Sequence, residues 1–191
     1  MTDKYKNFKE LEKENECSKD YFIEYKENSD ILIMAIHGGY IELGTSEIAK
    51  YISNLGNFSF YCFYGNKKEN NFNLHITSVN FDEPIGLKLA LKHKIIITIH
   101  GCKGNNEIFV GGGNTVLRNK LIKNFQQSGF NAPDFSDDFK FKGLQKENIC
   151  NRGKLQGIQI EIGRVLRDNL ISDKNLLNKF ALIILNIHRF S

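Results

Sequence analysis

Apolar and polar positions along this chain form two patterns. Short β-branched or aromatic runs alternate with longer amphipathic stretches. The strand-like runs are Tyr21–Tyr25, Ile31–Ile36, Phe58–Tyr64, Leu74–Thr77, Ile95–Ile99 and Ile158–Ile162. Ile31–Ile36 (ILIMAI) and Ile95–Ile99 (IIITI) are almost wholly apolar, which is typical of central strands covered on both faces. The alternation of strands with helices predicts an α/β fold: one domain over residues 1–191, with a twisted mixed sheet and helices on both faces.

The amphipathic stretches carry start and stop signals. Thr45 is expected to cap a helix with Ile48 and Ile52 on its buried stripe. Glu83 and Pro84 open the next helix. Further helices are expected at residues 1–18, at 114–128 with Gly129 behind it, and around Leu176–Ile184, whereas 131–148 is predicted to be a charged loop.

Composition narrows the function classes. Hydrophobic residues make up 41% of the 191 and the net charge is +4, so a sizeable core is expected and disorder is not. The 26 basic residues are scattered, which disfavours a nucleic-acid module. The longest aliphatic run, Ile31–Ile36, is too short to span a bilayer, and the charged amino-terminal stretch lacks a signal-peptide pattern. We therefore expect a monomer made in the cytoplasm, with no membrane or nucleic-acid partner.

The four cysteines lie far apart, without the spacing of a zinc knuckle or the density of a disulfide scaffold. Cys62 and Cys102 are predicted to be small core residues in a reduced protein. A Cys102 thiol nucleophile beside His100 is a minor alternative. The chain has no G-x-S-x-G elbow, so a serine-hydrolase mechanism has little support.

Two histidines follow the two most apolar strands. His37 begins H-G-G-Y-I-E, which places Glu42 five residues further on, and His100 begins H-G-C-K-G. Functional groups of such sheets lie at the carboxyl ends of central strands. Two imidazoles and one carboxylate are the protein ligands of a catalytic zinc site with one open position, although a strand-end histidine can also be merely structural.

A longer set of motifs extends this interpretation. H-G-G-Y-I-E-L-G-T-S-E-I-A, H-I-T-S-x-x-F-D-E-P, T-I-H-G-C, N-R-G and Q-I-E-I-G-R occur in this order over residues 37–167. This string resembles the phage-type poly-γ-glutamate hydrolases, small zinc peptidases similar in fold and site to metallocarboxypeptidases. Tyr40 departs from the pattern, which has a third glycine there, and it could narrow the pocket.

The resemblance implies roles for individual residues. The zinc ligands fall on His37, Glu42 and His100, and the catalytic carboxylate falls on Glu161, for which a salt bridge to Arg164 or Lys154 is the structural alternative. Asn151 and Arg152 are expected to hold a substrate carboxylate, since a guanidinium binds carboxylates through two parallel hydrogen bonds. His75 is also expected at the substrate site, unless it is simply a buried, hydrogen-bonded residue. Arg164 and Arg167 are either further substrate groups or charges on a helix surface.

The sequence thus predicts zinc-dependent hydrolysis of γ-glutamyl amide bonds in poly-γ-glutamate, which would help a phage to pass a host capsule. The enzyme is expected to leave the cell by lysis and to act outside it. One alternative is a zinc peptidase or amidase acting on another γ-glutamyl or cell-wall linkage. A second alternative is an inactive module that binds an anionic polymer.

Overall fold

A computed structural model describes residues 3–136 and 141–186, and this part of the chain forms one six-stranded sheet with helices on both faces. The strands are β1 (Tyr21–Lys26), β2 (Ile31–Gly39), β3 (Ser59–Gly65), β4 (Ile95–Cys102), β5 (Ile108–Gly111) and β6 (Ile158–Gly163). The helices are α1 (Phe8–Glu14), α2 (Thr45–Gly56), α3 (Pro84–Lys92), α4 (Thr115–Gln127), α5 (Arg164–Ser172) and α6 (Lys174–Leu185). No helix among these residues is long and apolar enough to cross a membrane.

The sheet is mixed, with the order β1-β3-β2-β4-β6-β5. The four inner strands β3, β2, β4 and β6 run parallel, and the edge strands β1 and β5 are antiparallel to their neighbours. The predicted α/β class and mixed sheet are therefore confirmed. The parallel centre matters for function, because it places the carboxyl ends of β2, β4 and β6 at the same edge.

Alternate residues of β2 face two separate cores. Ile31, Ile33 and Ala35 pack with α2, α4, α5 and α6, whereas Leu32 and Met34 pack with α1 and α3 on the opposite face. Side chains of a strand alternate between its two faces, so a strand covered on both sides must be apolar throughout. This explains the ILIMAI run and confirms its prediction as a central strand.

Several element predictions were wrong in detail. Leu74–Thr77 is not a strand: a 3-10 turn covers Asn71–Leu74, and the next residues are irregular. Strand β5 and helix α5 were not predicted, because β5 has only four residues and α5 follows β6 without an intervening loop. Within the described residues 3–18 only α1 is helical, and its Phe8 and Leu11 are buried. His188, which the sequence predicts to be solvent-exposed, lies outside the described residues.

Two of the predicted helix starts are confirmed. Glu83 caps α3, accepting hydrogen bonds from the N–H groups of Ile85 and Gly86, and Asn114 caps α4. Thr45 does not cap α2: Gly44 occupies that position in a left-handed conformation with φ 93°. The Thr45 hydroxyl instead donates to the carbonyl of Glu42 at 2.9 Å, so it helps to hold the loop between β2 and α2.

The glycines beside the two strand-end histidines make room for neighbouring side chains. A Cβ on Gly38 would lie 2.3 Å from Cys62 Sγ, and one on Gly101 would lie 2.4 Å from Arg167 Nη1. Real non-bonded atoms do not approach so closely, so both positions require a residue without a side chain. The H-G pattern thus reflects packing around the histidines, in addition to the tight turns expected from sequence.

We predict that Gly38→Ala lowers the free energy of unfolding by about 1–3 kcal/mol, the usual cost of overpacking a core. Urea denaturation measures the change. The double variant Gly38→Ala with Cys62→Ala should be less destabilised than the two single changes added together, because the nearest clashing atom is gone. Strict additivity of the two substitutions would contradict this explanation.

Candidate metal centre and active-site cavity

The carboxyl ends of β2, β4 and β6 open into a cavity of about 800 Å³. His37 on β2, His100 on β4 and Glu161 on β6 line this cavity, together with Glu42 from the loop after β2. His100 and Glu161 are direct partners in the register of β4 and β6. The structure therefore brings together the four residues that the sequence singled out for metal binding and catalysis.

His37, Glu42 and His100 form a compact donor group whose ligand atoms all lie within 4.8 Å of one another. The Nδ1 atoms of the two histidines are 3.2 Å apart. Glu42 Oε1 lies 3.3 Å from His37 Nδ1, and Glu42 Oε2 lies 3.8 Å from His100 Nδ1. Two imidazole nitrogens and a carboxylate converging in this way fit a metal ion with three protein ligands.

The backbone holds Glu42 beside the histidines. Its N–H donates to the carbonyl of His37 at 2.9 Å, and its Oε2 accepts from the N–H of Gly101 at 2.7 Å. The β2–β3 register also shifts between Ala35 and Gly38, next to His37. Such irregularities re-aim side chains at the end of a strand. The loop after β2 and the register shift thus bring the side chains of His37 and Glu42 together at the end of the strand.

Hydrogen bonds from the far side of each ring orient the two histidines. His37 Nε2 lies 2.8 Å from the carbonyl of Ile76, and His100 Nε2 lies 3.4 Å from Ser78 Oγ. A carbonyl only accepts, so the Nε2 of His37 must carry the proton, and neutral His37 presents a lone pair at Nδ1. Outer partners of this kind are characteristic of metal-binding histidines.

The electrostatics of the group favour the metal-binding protonation states of Glu42 and His100 and oppose that of His37. Burial alone would raise the pKa of Glu42, but His37, His100 and the Gly101 N–H outweigh it and lower that pKa to about 2. Burial and the neighbouring His37 lower the pKa of His100 to about 3. Burial disfavours charged His37, yet Glu42 raises its pKa overall. A metal ion binding here therefore displaces a proton from His37.

Glu161 has the opposite environment. It is 8% exposed, and burial together with the nearby negative charge of Glu42 raises its pKa to about 8. Its Oε1 accepts a hydrogen bond from Gln159 Nε2 at 3.0 Å. The predicted structural alternative does not occur among the described residues, since Arg164 pairs with Asp168 and Lys154 is exposed. Glu161 is thus a buried carboxyl without a cationic partner.

His75 lies in the wall of the same cavity. Its ring stacks on His37 with centroids 3.9 Å apart, and Phe72 covers it at 5.0 Å. Its Nδ1 is 2.7 Å from Asp3 Oδ1, and its Nε2 lies 4.0 Å from Glu42 Oε1. Burial and His37 lower the pKa of His75 to about 4. The geometry is compatible with the substrate contact that the sequence predicts.

Asn151 and Arg152 do not line the cavity. The Asn151 amide donates to the carbonyls of Gly143 and Gln145, two residues of the cavity wall, so Asn151 supports that wall from behind. Arg152 Nε donates to the carbonyl of Glu147. Tyr40 is 61% exposed and also lies outside the cavity lining, so it does not narrow this space.

Sequence reasoning missed other residues of the site. Gln159 and Asn148 form a buried amide chain behind Glu161, with Asn148 Nδ2 donating to Gln159 Oε1 at 2.8 Å. Arg167, which the sequence offered as a substrate group or a helix-surface charge, is buried, so the surface alternative is wrong. It donates to three backbone carbonyls, those of Leu43, Cys102 and Ile162. The period of two that places Gln159 on the same strand face as Glu161 was the available signal.

Cys102 also lines the cavity, but its environment does not activate it. Burial raises the pKa of its thiol to about 11. The thiolate is the nucleophilic form, so a raised pKa disfavours a thiol mechanism at neutral pH.

Comparisons with known proteins agree on one family. A family model described as poly-gamma-glutamate hydrolase matches residues 5–181. UPF0714 protein YmaC of Bacillus subtilis strain 168 is 42% identical over 175 residues, covering 90% of this chain and 73% of YmaC. A bacteriophage poly-gamma-glutamate hydrolase structure has a TM-score of 0.89 at 30% identity, covering 97% of this chain and 96% of its own. A zinc-free apo structure of YndL has a TM-score of 0.92 at 34% identity, covering both chains completely.

The raised pKa of Glu161 has a consequence for stability without metal. The folded state keeps the Glu161 proton up to about pH 8, whereas the unfolded chain releases it near the ordinary pKa of 4.5. The contribution of Glu161 to wild-type stability therefore falls as pH rises between these values. Glu161→Gln lacks this loss, so its stability relative to wild type should increase steadily from about pH 5 to about pH 8.

Urea denaturation with chelator at several pH values measures this difference. Groups that do not interact with Glu161 cancel in the comparison, so the trend reports on Glu161 together with its neighbours Glu42 and His37. A stability difference that is constant across this pH range would show that Glu161 is already ionised in the folded protein at pH 5.

Proposed function

The chain belongs to the poly-γ-glutamate hydrolase family, and we propose that it is a zinc enzyme that hydrolyses γ-glutamyl amide bonds in poly-γ-glutamate. The observation that carries this proposal is the meeting of a buried His-Glu-His donor group with a buried, unpaired carboxyl in one cavity. Hydrolysis of an amide needs a polarised carbonyl, an activated water and a proton for the leaving amine. The residues of the cavity can meet these needs.

His37, Glu42 and His100 would hold the ion. Imidazole nitrogen and carboxylate oxygen suit zinc, whereas magnesium and calcium prefer shells made of oxygen alone. The YndL structure described as zinc-free is consistent with this choice. Bound zinc supplies Lewis-acid polarisation of a carbonyl and a water of lowered pKa.

Glu161 is the general base and acid of the proposed mechanism. Gln159 occupies Oε1 of Glu161, and among the described residues nothing donates to Oε2. The positive charge of a bound zinc ion would lower the pKa of Glu161 from its metal-free value and so favour the carboxylate. Its Oε2 atom is then the position that would accept the proton of the attacking water and return it to the leaving nitrogen. Where two neighbouring carboxyls have pKa values shifted in opposite directions, the one with the raised pKa commonly transfers protons and the one with the lowered pKa stays ionised. Glu161 and Glu42 form such a pair.

Two lysines provide the cavity with positive charge that attracts carboxylates. Lys103 and Lys142 are the permanent cations among the described cavity-lining residues, and neither has an ion-pair partner there. Poly-γ-glutamate carries a free carboxylate on every residue, so one chain can place carboxylates on both sides of the bond to be cleaved. Lys103 and Lys142, rather than Arg152, are therefore the groups best placed to bind them, and Arg152 remains a proposed contact only for more distant parts of a polymer.

The similarity to a bacteriophage enzyme also supports the biological role predicted from sequence. In this proposal the enzyme degrades a polyglutamate layer outside the host and so assists infection. A cell-wall or other γ-glutamyl substrate, and binding of the polymer without cleavage, are alternative outcomes of the assays below.

Glu161→Gln should lower kcat on poly-γ-glutamate by at least about 10², the lower bound for a general acid–base group. Zinc content should stay near that of wild type, because Glu161 is not a ligand. Glu42→Gln and His100→Ala should lose zinc as well as activity, since each removes a ligand. Elemental analysis and chromatography of polymer fragments measure the two properties.

His93→Ala is the control for metal content, because His93 lies before the amino end of β4, at the opposite edge of the sheet. Loss of zinc in Glu161→Gln, or its retention of wild-type turnover, would refute the assigned role. A zinc-loaded wild-type protein that binds the polymer without cleaving it would support the binding-module alternative.

Lys103→Gln and Lys142→Gln should each raise KM for poly-γ-glutamate about two- to fivefold, the range for exposed charge pairs, with less change in kcat. The effect should shrink at high salt, because exposed charges are screened beyond about 8 Å at physiological ionic strength. Lys154→Gln is the matched control, an exposed lysine outside the cavity. Equal KM changes in all three variants would indicate a general charge effect instead of carboxylate binding in the cavity.

A further inference from the structure

One irregular segment, residues 75–78, supplies the outer partners of both ligand histidines. The Ile76 carbonyl binds His37 Nε2 at 2.8 Å, and Ser78 Oγ lies 3.4 Å from His100 Nε2. Residues 75–77 belong to no helix or strand, so no ladder of backbone hydrogen bonds fixes their orientation. The contacts that hold this segment therefore decide how the two rings are oriented.

Asp3 makes two of these contacts across more than seventy residues of sequence. Its Oδ2 accepts from the N–H of Thr77 at 2.7 Å, and its Oδ1 lies 2.7 Å from His75 Nδ1. The Asp3 side chain is only 13% exposed. Hydrogen bonds from Thr77 and His75 lower its pKa against the effect of burial, so Asp3 is a carboxylate at neutral pH.

The Asp3 and His37 contacts lie on the same peptide group. The carbonyl of Ile76 and the N–H of Thr77 belong to one planar unit, and no peptide bond in the described residues is cis. In a trans peptide the two groups point in opposite directions, so Asp3 binds one edge and His37 the other. A carboxylate on the N–H side both fixes the plane and polarises the carbonyl, which strengthens its hydrogen bond to the imidazole.

We propose that Asp3 is a positioning residue for His37, acting through the Ile76–Thr77 peptide group, and that it tightens metal binding by the His37–Glu42–His100 group. This inference rests on the metal centre of the proposed function. In many metal sites a carboxylate accepts a hydrogen bond directly from a ligand histidine. Here one peptide group lies between the carboxylate of Asp3 and the ligand His37. It also makes Asp3 a part of the site, although its hydrogen bonds go to His75 and Thr77 and not to a metal ligand.

The test measures zinc affinity by competition with a chromogenic chelator. Asp3→Ala should weaken zinc binding by about 10–100-fold, the usual effect of losing an outer partner of a ligand. Asp3→Asn should have a smaller effect, because its amide oxygen still accepts from Thr77 but carries no charge. Melting temperatures in excess chelator report separately on folding.

Asp82→Ala is the matched control. Asp82 Oδ1 accepts from the N–H of Phe8 and so anchors the same amino-terminal segment without touching residues 75–78. This variant should bind zinc within about threefold of wild type even if it melts earlier. Equal losses of zinc affinity in Asp3→Ala and Asp82→Ala would overturn the proposal, since segment docking alone would then explain both.

His75→Phe separates the two contacts of Asp3. It removes the imidazole partner but leaves the Thr77 N–H, so zinc affinity should remain close to that of wild type. A loss as large as that of Asp3→Ala would overturn the peptide route, and unchanged affinity in Asp3→Ala would overturn any role of Asp3. Failure of wild-type protein to bind zinc would instead refute the metal centre itself, and this inference with it.

Discussion

The close approach of two imidazole nitrogens, 3.2 Å apart and buried beside one carboxylate, is the constraint on which the site depends. Such a group is costly to bury without charge compensation, and it is not stabilised by apolar packing. Parallel central strands bring His37 and His100 to one edge, and the loop after β2 brings Glu42 between them. The surrounding hydrogen bonds then orient each ligand atom toward a common point.

The two buried carboxyls of the cavity differ because of their neighbours, not because of their burial. Both are largely shielded from solvent, with 12% of the Glu42 side chain and 8% of Glu161 exposed. Two histidines and a backbone N–H surround Glu42 and hold its pKa low, whereas Glu161 faces the charge of Glu42 and has only a neutral amide partner. The same residue type, glutamate, thus supplies both a permanently charged ligand and a group able to exchange a proton near neutral pH.

The support behind the cavity is largely made of backbone carbonyls and buried amides. Asn151 donates to the cavity wall at Gly143, and Asn148 donates to Gln159. Arg167 donates to carbonyls of the loop after β2, of β4 and of β6. These polar side chains satisfy backbone groups that would otherwise be buried without partners. Asn151 and Arg167, which the sequence offered as substrate-binding residues, therefore make hydrogen bonds that support the loops and strand ends around the cavity.

The sequence by itself determined the class of fold and the identity of the chemical groups. The apolar runs ILIMAI and IIITI are typical of covered strands, and a histidine follows each of them, so local pattern singled out His37 and His100 as candidates with Glu42 beside them. The family resemblance then supplied their roles. Only the tertiary structure decided which polar residues face the cavity. Arg152 and Asn151 lie outside the cavity lining, whereas Lys103 lines the cavity. Asp3 binds Thr77 in the segment that supports the ligand histidines. Such contacts join residues far apart in the chain, and no periodicity within one strand or helix encodes them.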